Sequence, residues 1–276
     1  MSIEPSNPSG RSVSMLHFFG LTFLLSWCIW VPLALSHFGI GPFSIPEGVS
    51  GIVRLLGVLM PAVAAMILSQ RAGGRAAVKT LLSRLKIWRV GWGWWAAATL
   101  VQPALLLLSA LVYNFFWGNP RVTPSPIGTA AALIVNVFFL LIATLGEEIG
   151  WRGVALPGLQ AKYTALVSSL SLGLLTAVWH IPFWLLLDTF DQFGITYLVL
   201  NFLMILPLTL YLTWIFNHTR SSLLMAVALH VTFNIVNTAL LPVTLNIGAF
   251  SLFIIFQWIL ALFLIRRLEP VPEGNR

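Results

Sequence analysis

The sequence predicts an all-α protein, a polytopic transmembrane helical bundle of about eight spans. Hydrophobic residues make up 58% of the 276 residues and charged residues only 8%, whereas an ordinary soluble domain has roughly 25% charged residues. The apolar residues form uninterrupted runs of about 20, the length that a helix needs to cross a hydrocarbon core of ~30 Å. Such runs are not the ~10-residue alternating segments of a membrane β-barrel.

The predicted spans follow one another with short connections, so the chain is interpreted as one membrane domain. They are placed, to within ~2–4 residues, at 14–36, 52–70, 93–116, 130–156, 166–187, 195–216, 221–241 and 247–265. The first span is too long for the apolar part of a signal peptide and is expected to stay in the protein. We predict a single transmembrane domain over 14–268, with its catalytic core at about 130–240, between polar tails at 1–13 and 269–276.

The distribution of the fifteen basic residues predicts the orientation in the membrane. If the spans alternate, only Arg54 and Arg121 fall on one side, and the other thirteen basic residues fall on the side of both termini. By the positive-inside rule both termini are expected in the cytoplasm, in an inner or plasma membrane. The net charge of +7 is therefore interpreted as a topology signal, and no nucleic-acid partner is predicted. The oligomeric state is not predictable from the sequence.

The segment Gly74–Trp92 is the one long basic connector between predicted spans. Its apolar residues are spaced to form a stripe beside Lys79, Arg84 and Lys86, which is typical of a helix that lies on the inner leaflet and binds anionic lipid. A solvated basic loop is the alternative. Membrane lipids are therefore expected partners.

Ionisable residues within the predicted spans indicate a functional site, because a charged group near the bilayer centre costs at least ~2.5–3.5 kcal/mol. Span four ends with Glu147 and Glu148, followed by Arg152. Glu148 and Arg152 are four residues apart and can pair on one helix face, while Glu147 points about 100° away and is free for another task. The alternative is a wetted helix end with a weak surface ion pair.

Two histidines and an asparagine in other spans favour the functional interpretation. Span five carries His180, and span seven carries His230 and, one turn later, Asn234. Together with the glutamate pair they supply a base, an acid and hydrogen-bond donors. We predict that Glu147, His180, His230 and Asn234 converge on one water-accessible cavity in the cytoplasmic half of the bundle, formed by spans four, five and seven.

At these residues the sequence resembles the CPBP family of intramembrane proteases, which includes the type II CAAX prenyl endopeptidases and bacteriocin-processing relatives. The family motif EExxxR matches Glu147, Glu148 and Arg152, and its motif of a His followed four residues later by Asn matches His230 and Asn234. The resemblance covers roughly residues 130–240.

A third motif of the family, FxxxH, matches only in part, since Thr176 stands where the motif has Phe before His180. The resemblance implies an endopeptidase that hydrolyses a peptide bond of a membrane-associated or lipidated peptide or protein. It implies that Glu147 and His180 activate water, that His230 and Asn234 stabilise the oxyanion, and that Glu148 and Arg152 support them.

Three questions stay open at this point. The set Glu147, His180 and His230 could instead hold zinc, because His₂Glu is a known catalytic zinc set. A cofactor-free mechanism is preferred, because the HExxH spacing that puts two ligands on one helix is missing. A proton-coupled transporter would also use intramembrane carboxylates and histidines, and a non-catalytic immunity or scaffold protein could keep the same fold.

Overall fold

A computed structural model describes residues 13–41, 47–118, 130–239 and 246–269, and within these ranges the chain forms helices and no strands. The helices are α1 Met15–His37, α2 Glu47–Val58, α3 Met60–Ser83, α4 Trp92–Trp117, α5 Ala130–Gly150, α6 Leu156–Gln160, α7 Ala165–Trp184, α8 Asp188–Phe193, α9 Ile195–His218, α10 Leu223–Ala239 and α11 Ile247–Leu264. A five-residue π-helix, Trp151–Ala155, joins α5 to α6. The predicted polytopic helical bundle is confirmed.

Seven segments in the described part of the chain are long and apolar enough to cross a membrane. They correspond to seven of the predicted spans, and the predicted span 221–241 is the shorter α10. No residue from 222 to 238 is exposed, because α10 lies in the middle of the bundle. Although α10 is shorter than a membrane span, its apolar side chains are buried because they pack against the surrounding helices.

The predicted second span and the basic connector form one bent segment. Within α3 the backbone leaves the helical conformation at Gly73 and Gly74, and Gly74 has φ 64°, which only glycine adopts without strain. The helix then continues to Ser83 and ends in a 3₁₀ turn, Arg84–Lys86. The connector is thus helical for half its length. Arg84 Nη1 donates a hydrogen bond to the carbonyl of Gly153 at 3.2 Å. This contact holds the connector against the rest of the helical bundle.

The two ends of the bundle differ in charge. At one end lie the start of α1, the turns between α6 and α7 and between α9 and α10, and the end of α11; we call it the basic end, since Lys162, Arg220 and Arg267 are there. Glu269 accepts a hydrogen bond from the backbone N–H of Ala165 at 2.9 Å. Glu269, predicted to begin the polar tail, is therefore part of the fold. Residues 1–12 and 270–276 lie outside the described residues.

At the other end, which we call the acidic end, lie the ends of α1 and α7, the short helix α8 and the start of α9. Among the residues whose side chains the structure describes, its exposed carboxylates are Asp188 and Asp191. His37 on α1 pairs with Asp191 on α8 at 3.1 Å, and Arg54 on α2 donates to the carbonyl of Leu186 at 3.2 Å. These contacts fix α8 against α1 and α2.

Two glycines let α5 approach α3 closely, just before the glutamate pair and just after it. A Cβ atom added to Gly146 would lie 3.0 Å from the Cα of Leu59, and one added to Gly150 would lie 2.5 Å from the Cβ of Pro61. Small residues four apart are typical of tight helix contacts in membranes. The backbone that carries the two glutamates is thereby held against α3.

Candidate active site

The acidic pair lies at the point where the geometry of the helix changes. α5 ends at Gly150, and the π-helix Trp151–Ala155 carries Arg152. Pro157 has no N–H to donate to the carbonyl of Gly153 four residues earlier, and Arg84 occupies that carbonyl instead. Single-turn π segments occur frequently at functional sites. The predicted span continues through Pro157 to Gln160, farther than the predicted end at 156.

Glu148 is the centre of a buried charge cluster. Its Oε1 accepts from Arg152 Nη1 at 2.9 Å and from His230 Nδ1 at 2.7 Å. Glu148 is fully buried and Arg152 is 2% exposed. The alternative of a wetted surface pair is therefore wrong. Since Glu148 ties the π-helix to α10, the pair predicted from i,i+4 spacing is also an interhelical contact.

Glu147 points to a different helix from its neighbour. Its Oε2 lies 3.8 Å from Nε2 of His180 on α7. The other ring nitrogen of His180, Nδ1, donates to the carbonyl of Thr176 at 2.9 Å, because a carbonyl can only accept. In the neutral imidazole Nε2 is then an acceptor facing Glu147. Two acceptors at this separation suit a water molecule that donates to both.

The ring of His180 is further held by two tryptophans. It stacks on Trp184 with ring planes 11° apart and centroids 5.3 Å apart, and it meets Trp179 edge-on at 4.5 Å. Thr176, where the family motif has Phe, contributes its backbone carbonyl, a contact that any residue can make. The imidazole is thus oriented without an aromatic residue at position 176.

On α10, His230 and Asn234 face α5 on consecutive turns. Nδ1 of His230 is occupied by Glu148, so Nε2 is the ring nitrogen that remains for a ligand. Asn234 Nδ2 donates to Thr144 Oγ1 at 3.3 Å and keeps a second N–H. Thr144, buried one turn before Glu148, was not singled out from the sequence; the signal available was a hydroxyl residue four positions before Glu148 in an apolar run.

A cavity of about 650 Å³ unites the predicted residues, within the range of ~300–1,000 Å³ that is typical of ligand pockets. Glu147, Arg152, His180, His230 and Asn234 all line it, whereas Glu148 does not. Predicted span six, which is α9, forms another wall that the sequence did not predict, with these polar and apolar residues: Tyr197, Asn201, Met204, Ile205, Leu208, Thr209 and Leu212.

The lining residues show how far the cavity extends along the bundle. On α7 its lining begins at Thr176, and on α10 it begins at His230; from there it extends to Asp188 and Gln192 on α8, at the acidic end. The helix segment that carries Glu147 runs on to Gln160, so Glu147 lies farther from the basic end than a span ending at 156 would place it. The side of the membrane on which the cavity lies depends on the orientation of the termini, so the cytoplasmic location stays a prediction.

The fit of a zinc ion can be judged from the side chains. Within the described ranges, no group of three His, Cys, Asp or Glu residues lies close enough to hold a metal ion. Glu147 and His180 face each other, but His230 is turned through Nδ1 to Glu148. The side chains of Glu147, His180 and His230 are thus not arranged as the ligands of one zinc ion.

Comparison with known proteins agrees with the resemblance seen in the motifs. Residues 126–236 match the family model described as "Type II CAAX prenyl endopeptidase Rce1-like". The chain is 28% identical over 235 residues to the CAAX prenyl protease 2 of Methanococcus maripaludis, an alignment that covers 82% of this chain and 84% of that protein. The matched stretch contains all six predicted site residues. The predicted resemblance to this protease family is confirmed.

Proposed function

We propose that this chain, a relative of the Rce1-like type II CAAX prenyl endopeptidases, is an intramembrane endopeptidase whose base is Glu147. The observation that carries the proposal is the arrangement of Glu147 and His180 in the cavity, where a carboxylate and the Nε2 of a tautomer-fixed imidazole face each other at 3.8 Å. Both groups accept hydrogen bonds, so a water molecule that bridges them has its oxygen lone pairs directed into the cavity. Such a water is oriented for attack on a carbonyl carbon.

In the reaction we propose, the water oxygen bonds to the scissile carbonyl carbon while Glu147 takes its proton. The carbonyl oxygen becomes a tetrahedral oxyanion. When the intermediate collapses, the C–N bond breaks and the proton is delivered to the leaving amine, through Glu147 or His180. The second proton of the water also passes to the amine, so the products are a carboxylate and an ammonium group, and atoms and charge balance without a cofactor.

His230 and Asn234 are proposed to stabilise the oxyanion from α10. Asn234 keeps one N–H beyond its bond to Thr144. His230 donates from Nε2 when the ring is protonated, while its Nδ1 stays bound to the carboxylate of Glu148. Donors fixed before the reaction in a site of low dielectric are worth several kcal/mol; loss of one oxyanion donor typically costs ~10²–10³ in rate. Glu148 and Arg152 are thus positioning residues.

The paired Glu147 and His180 and the family resemblance favour a protease over a transporter. Toward the basic end the site is backed by fully buried side chains, among them Trp151, Leu172, Trp179 and Leu223. The substrate that we propose is a membrane-associated or lipidated peptide, since the entrance lies among apolar helices.

A peptide library anchored in membranes tests the proposal. Wild-type protein, Glu147→Gln and His180→Ala would be incubated with the library in liposomes, and new termini would be identified by mass spectrometry. We expect cleavage by wild-type protein and loss of it in both variants. His17→Ala is the matched control, because His17 is exposed on α1 and lies outside the cavity. Cleavage that persists in Glu147→Gln would remove the proposed base.

A further inference from the structure

The basic connector, Gly74–Trp92, carries positive charge that no nearby acidic residue of the chain balances. The sequence has no Asp or Glu between Glu47 and Glu147. Four basic residues of the connector are exposed: Arg75, Lys79, Lys86 and Arg89. Within the described part of the chain none of these four forms an ion pair. The charge is therefore available to a partner outside the chain.

The connector lies at the level of the bilayer surface. The apolar segment Ser50–Lys86 has 37 residues, many more than the ~20 that a helix needs to cross the hydrocarbon core. The bend at Gly73 and Gly74 divides this segment, and the next candidate span begins at Trp92. Charged side chains are costly in hydrocarbon. The connector therefore joins two spans along one face of the membrane.

One side of the connector packs on the bundle and the other side is open. Leu81 is buried, and a Cβ atom added to Gly153 would lie 2.6 Å from its Cδ1. Arg75 and Lys79 are one helical turn apart and share a face. At 100° per residue, Leu81 is on the opposite side of the helix from them. The exposed basic residues thus point away from the bundle.

Aromatic side chains border this basic face. Trp88 is 56% exposed and Trp92 is 88% exposed, and the guanidinium of Arg89 lies 5.0 Å from the ring centroid of Trp88. Exposed tryptophans are typical of the bilayer interface. Arg220, in the turn between α9 and α10, donates to the carbonyl of Arg89 and adds its charge to the face. Positive charge beside interfacial aromatic rings fits a phosphate headgroup that has acyl chains attached.

From these contacts we propose that the exposed face of the basic connector, together with Arg220, is a binding site for the headgroup of an anionic phospholipid, and that the bound lipid supports the active site. The first part does not depend on the proposed endopeptidase function. The second part rests on it.

The connector reaches the active site through two buried contacts. Arg84 donates to the carbonyl of Gly153 in the π-helix that follows the glutamate pair. Ser222, at the start of the helix that carries the second histidine, donates from Oγ to the carbonyl of Ile87 at 2.6 Å. A ligand stabilises the arrangement that binds it. A lipid bound to the docked connector therefore favours the positions of both helices.

Native mass spectrometry of the detergent-solubilised protein tests the site, with phosphatidylglycerol and phosphatidylcholine as probes. The site variant combines Lys79→Gln, Lys86→Gln and Arg89→Gln. The control variant removes the same charge from exposed residues elsewhere at the basic end and combines Lys162→Gln, Arg266→Gln and Arg267→Gln.

Wild-type protein and the control variant should bind phosphatidylglycerol in preference to phosphatidylcholine. The site variant should bind phosphatidylglycerol at least about tenfold more weakly, because each Lys or Arg near an anionic lipid surface typically contributes about fivefold. Equal binding of the two lipids by wild-type protein, unchanged binding in the site variant, or an equal loss in both variants would overturn the proposed site.

Cleavage of one peptide in phosphatidylcholine liposomes, with and without phosphatidylglycerol, tests the link to the active site. We expect phosphatidylglycerol to raise the rate several-fold for wild-type protein and the control variant, and not for the site variant. Comparison of variants in the same liposomes removes any effect of the lipid on the peptide. The same increase in the site variant would overturn the link. No cleavage by any of the proteins would count against the proposed function, and the mass spectra would still decide lipid binding.

Discussion

Glu147 and Glu148 are adjacent in sequence but have different surroundings, and this difference predicts different effects of substitution. Glu148 is held by two hydrogen bonds from charged or ionisable groups, whereas the nearest charged or ionisable contact of Glu147 is His180 at 3.8 Å. One carboxylate is therefore fixed by the fold and the other is available for chemistry. The 100° rotation between consecutive helix positions is the physical origin of this division.

Replacing the proposed base should remove activity without unfolding the protein. We expect Glu147→Gln to lose about 10²–10⁴-fold in rate, the usual contribution of a general base, because the amide cannot take a proton from water. Thermal unfolding in detergent should change little, since no buried hydrogen bond of Glu147 is lost. Asp191→Asn is the matched carboxylate-to-amide control, at the acidic end and outside the cavity. A Glu147→Gln protein that is active at the control's rate would contradict the assignment.

Removing Glu148 should damage both stability and activity. Glu148→Ala leaves Arg152 and His230 without their shared acceptor, and removing one partner from a buried pair costs ~3–5 kcal/mol. Arg152→Ala leaves Glu148 bound to His230, so we expect a similar but smaller defect. Unfolding in detergent and the initial cleavage rate measure the two effects. If both variants stay folded and fully active, the cluster does not position the site.

The zinc alternative remains open to a direct measurement. We expect purified protein to contain no stoichiometric zinc and to keep its activity in a chelator, because Glu148 occupies Nδ1 of His230 and no three metal-ligating side chains in the described ranges lie close enough together to hold a metal ion. Elemental analysis and activity before and after dialysis against the chelator test this. One zinc per chain, lost together with activity and restored with it, would show that the side chains rearrange around a metal.

At the scale of elements, the contact between α3 and α5 holds the glutamate pair in place. A Cβ at Gly150 would meet the backbone and ring of Pro61 within 2.8 Å, and neither can move away as a flexible side chain can. We expect Gly150→Ala to destabilise the protein by about 1–3 kcal/mol, as overpacking does, and to lower the cleavage rate by shifting Glu147. Unfolding in detergent and the cleavage rate are the measurements.

Gly20→Ala is the matched control for that substitution. Gly20 lies within α1, and a Cβ there would meet no atom within 4 Å. Alanine is the better helix former by ~1 kcal/mol, so this variant should be as stable as wild type or more so. Equal stability of Gly150→Ala and Gly20→Ala would mean that α3 and α5 separate without cost.

The sequence predicted the helices better than their junctions. Long apolar runs with polar breaks are a strong local signal, and the observed helices follow it. The π-helix after Gly150 was not singled out from the sequence, and neither was the contact beside it, in which Arg84 docks on the carbonyl that Pro157 leaves free although the two residues in contact are 69 apart. The wall formed by α9 was missed for a similar reason, since Thr209 and Asn201 have no charge that would single them out.

At the scale of the whole molecule, the sequence predicted which residues meet but not where they meet. Each of Glu147, His180, His230 and Asn234 is costly in lipid, so a shared cavity was predictable from energetics alone. Where along the bundle the cavity lies depends on how far the helical segment continues beyond Glu147, to Gln160, and on which buried side chains fill the basic end. Those are properties of the packed bundle, and no single segment carries them.

The orientation of the whole bundle is the last prediction, and the sidedness of the cavity depends on it. We expect both termini in the cytoplasm, because alternating spans put thirteen basic residues, or twelve without the buried Arg152, on the side of the termini against two on the other side, and Lys and Arg in short loops set the orientation. Alkaline phosphatase inserted after Asp191 should be active and green fluorescent protein fused after Arg267 should fluoresce, because the first folds outside the cytoplasm and the second inside it. Each reporter exchanged to the other position should give no signal, which is the control. Two positions on the same side would refute the three membrane crossings by α9, α10 and α11 that are predicted between them. The reverse assignment would turn the acidic end, where Asp188 and Gln192 line the cavity, toward the cytoplasm.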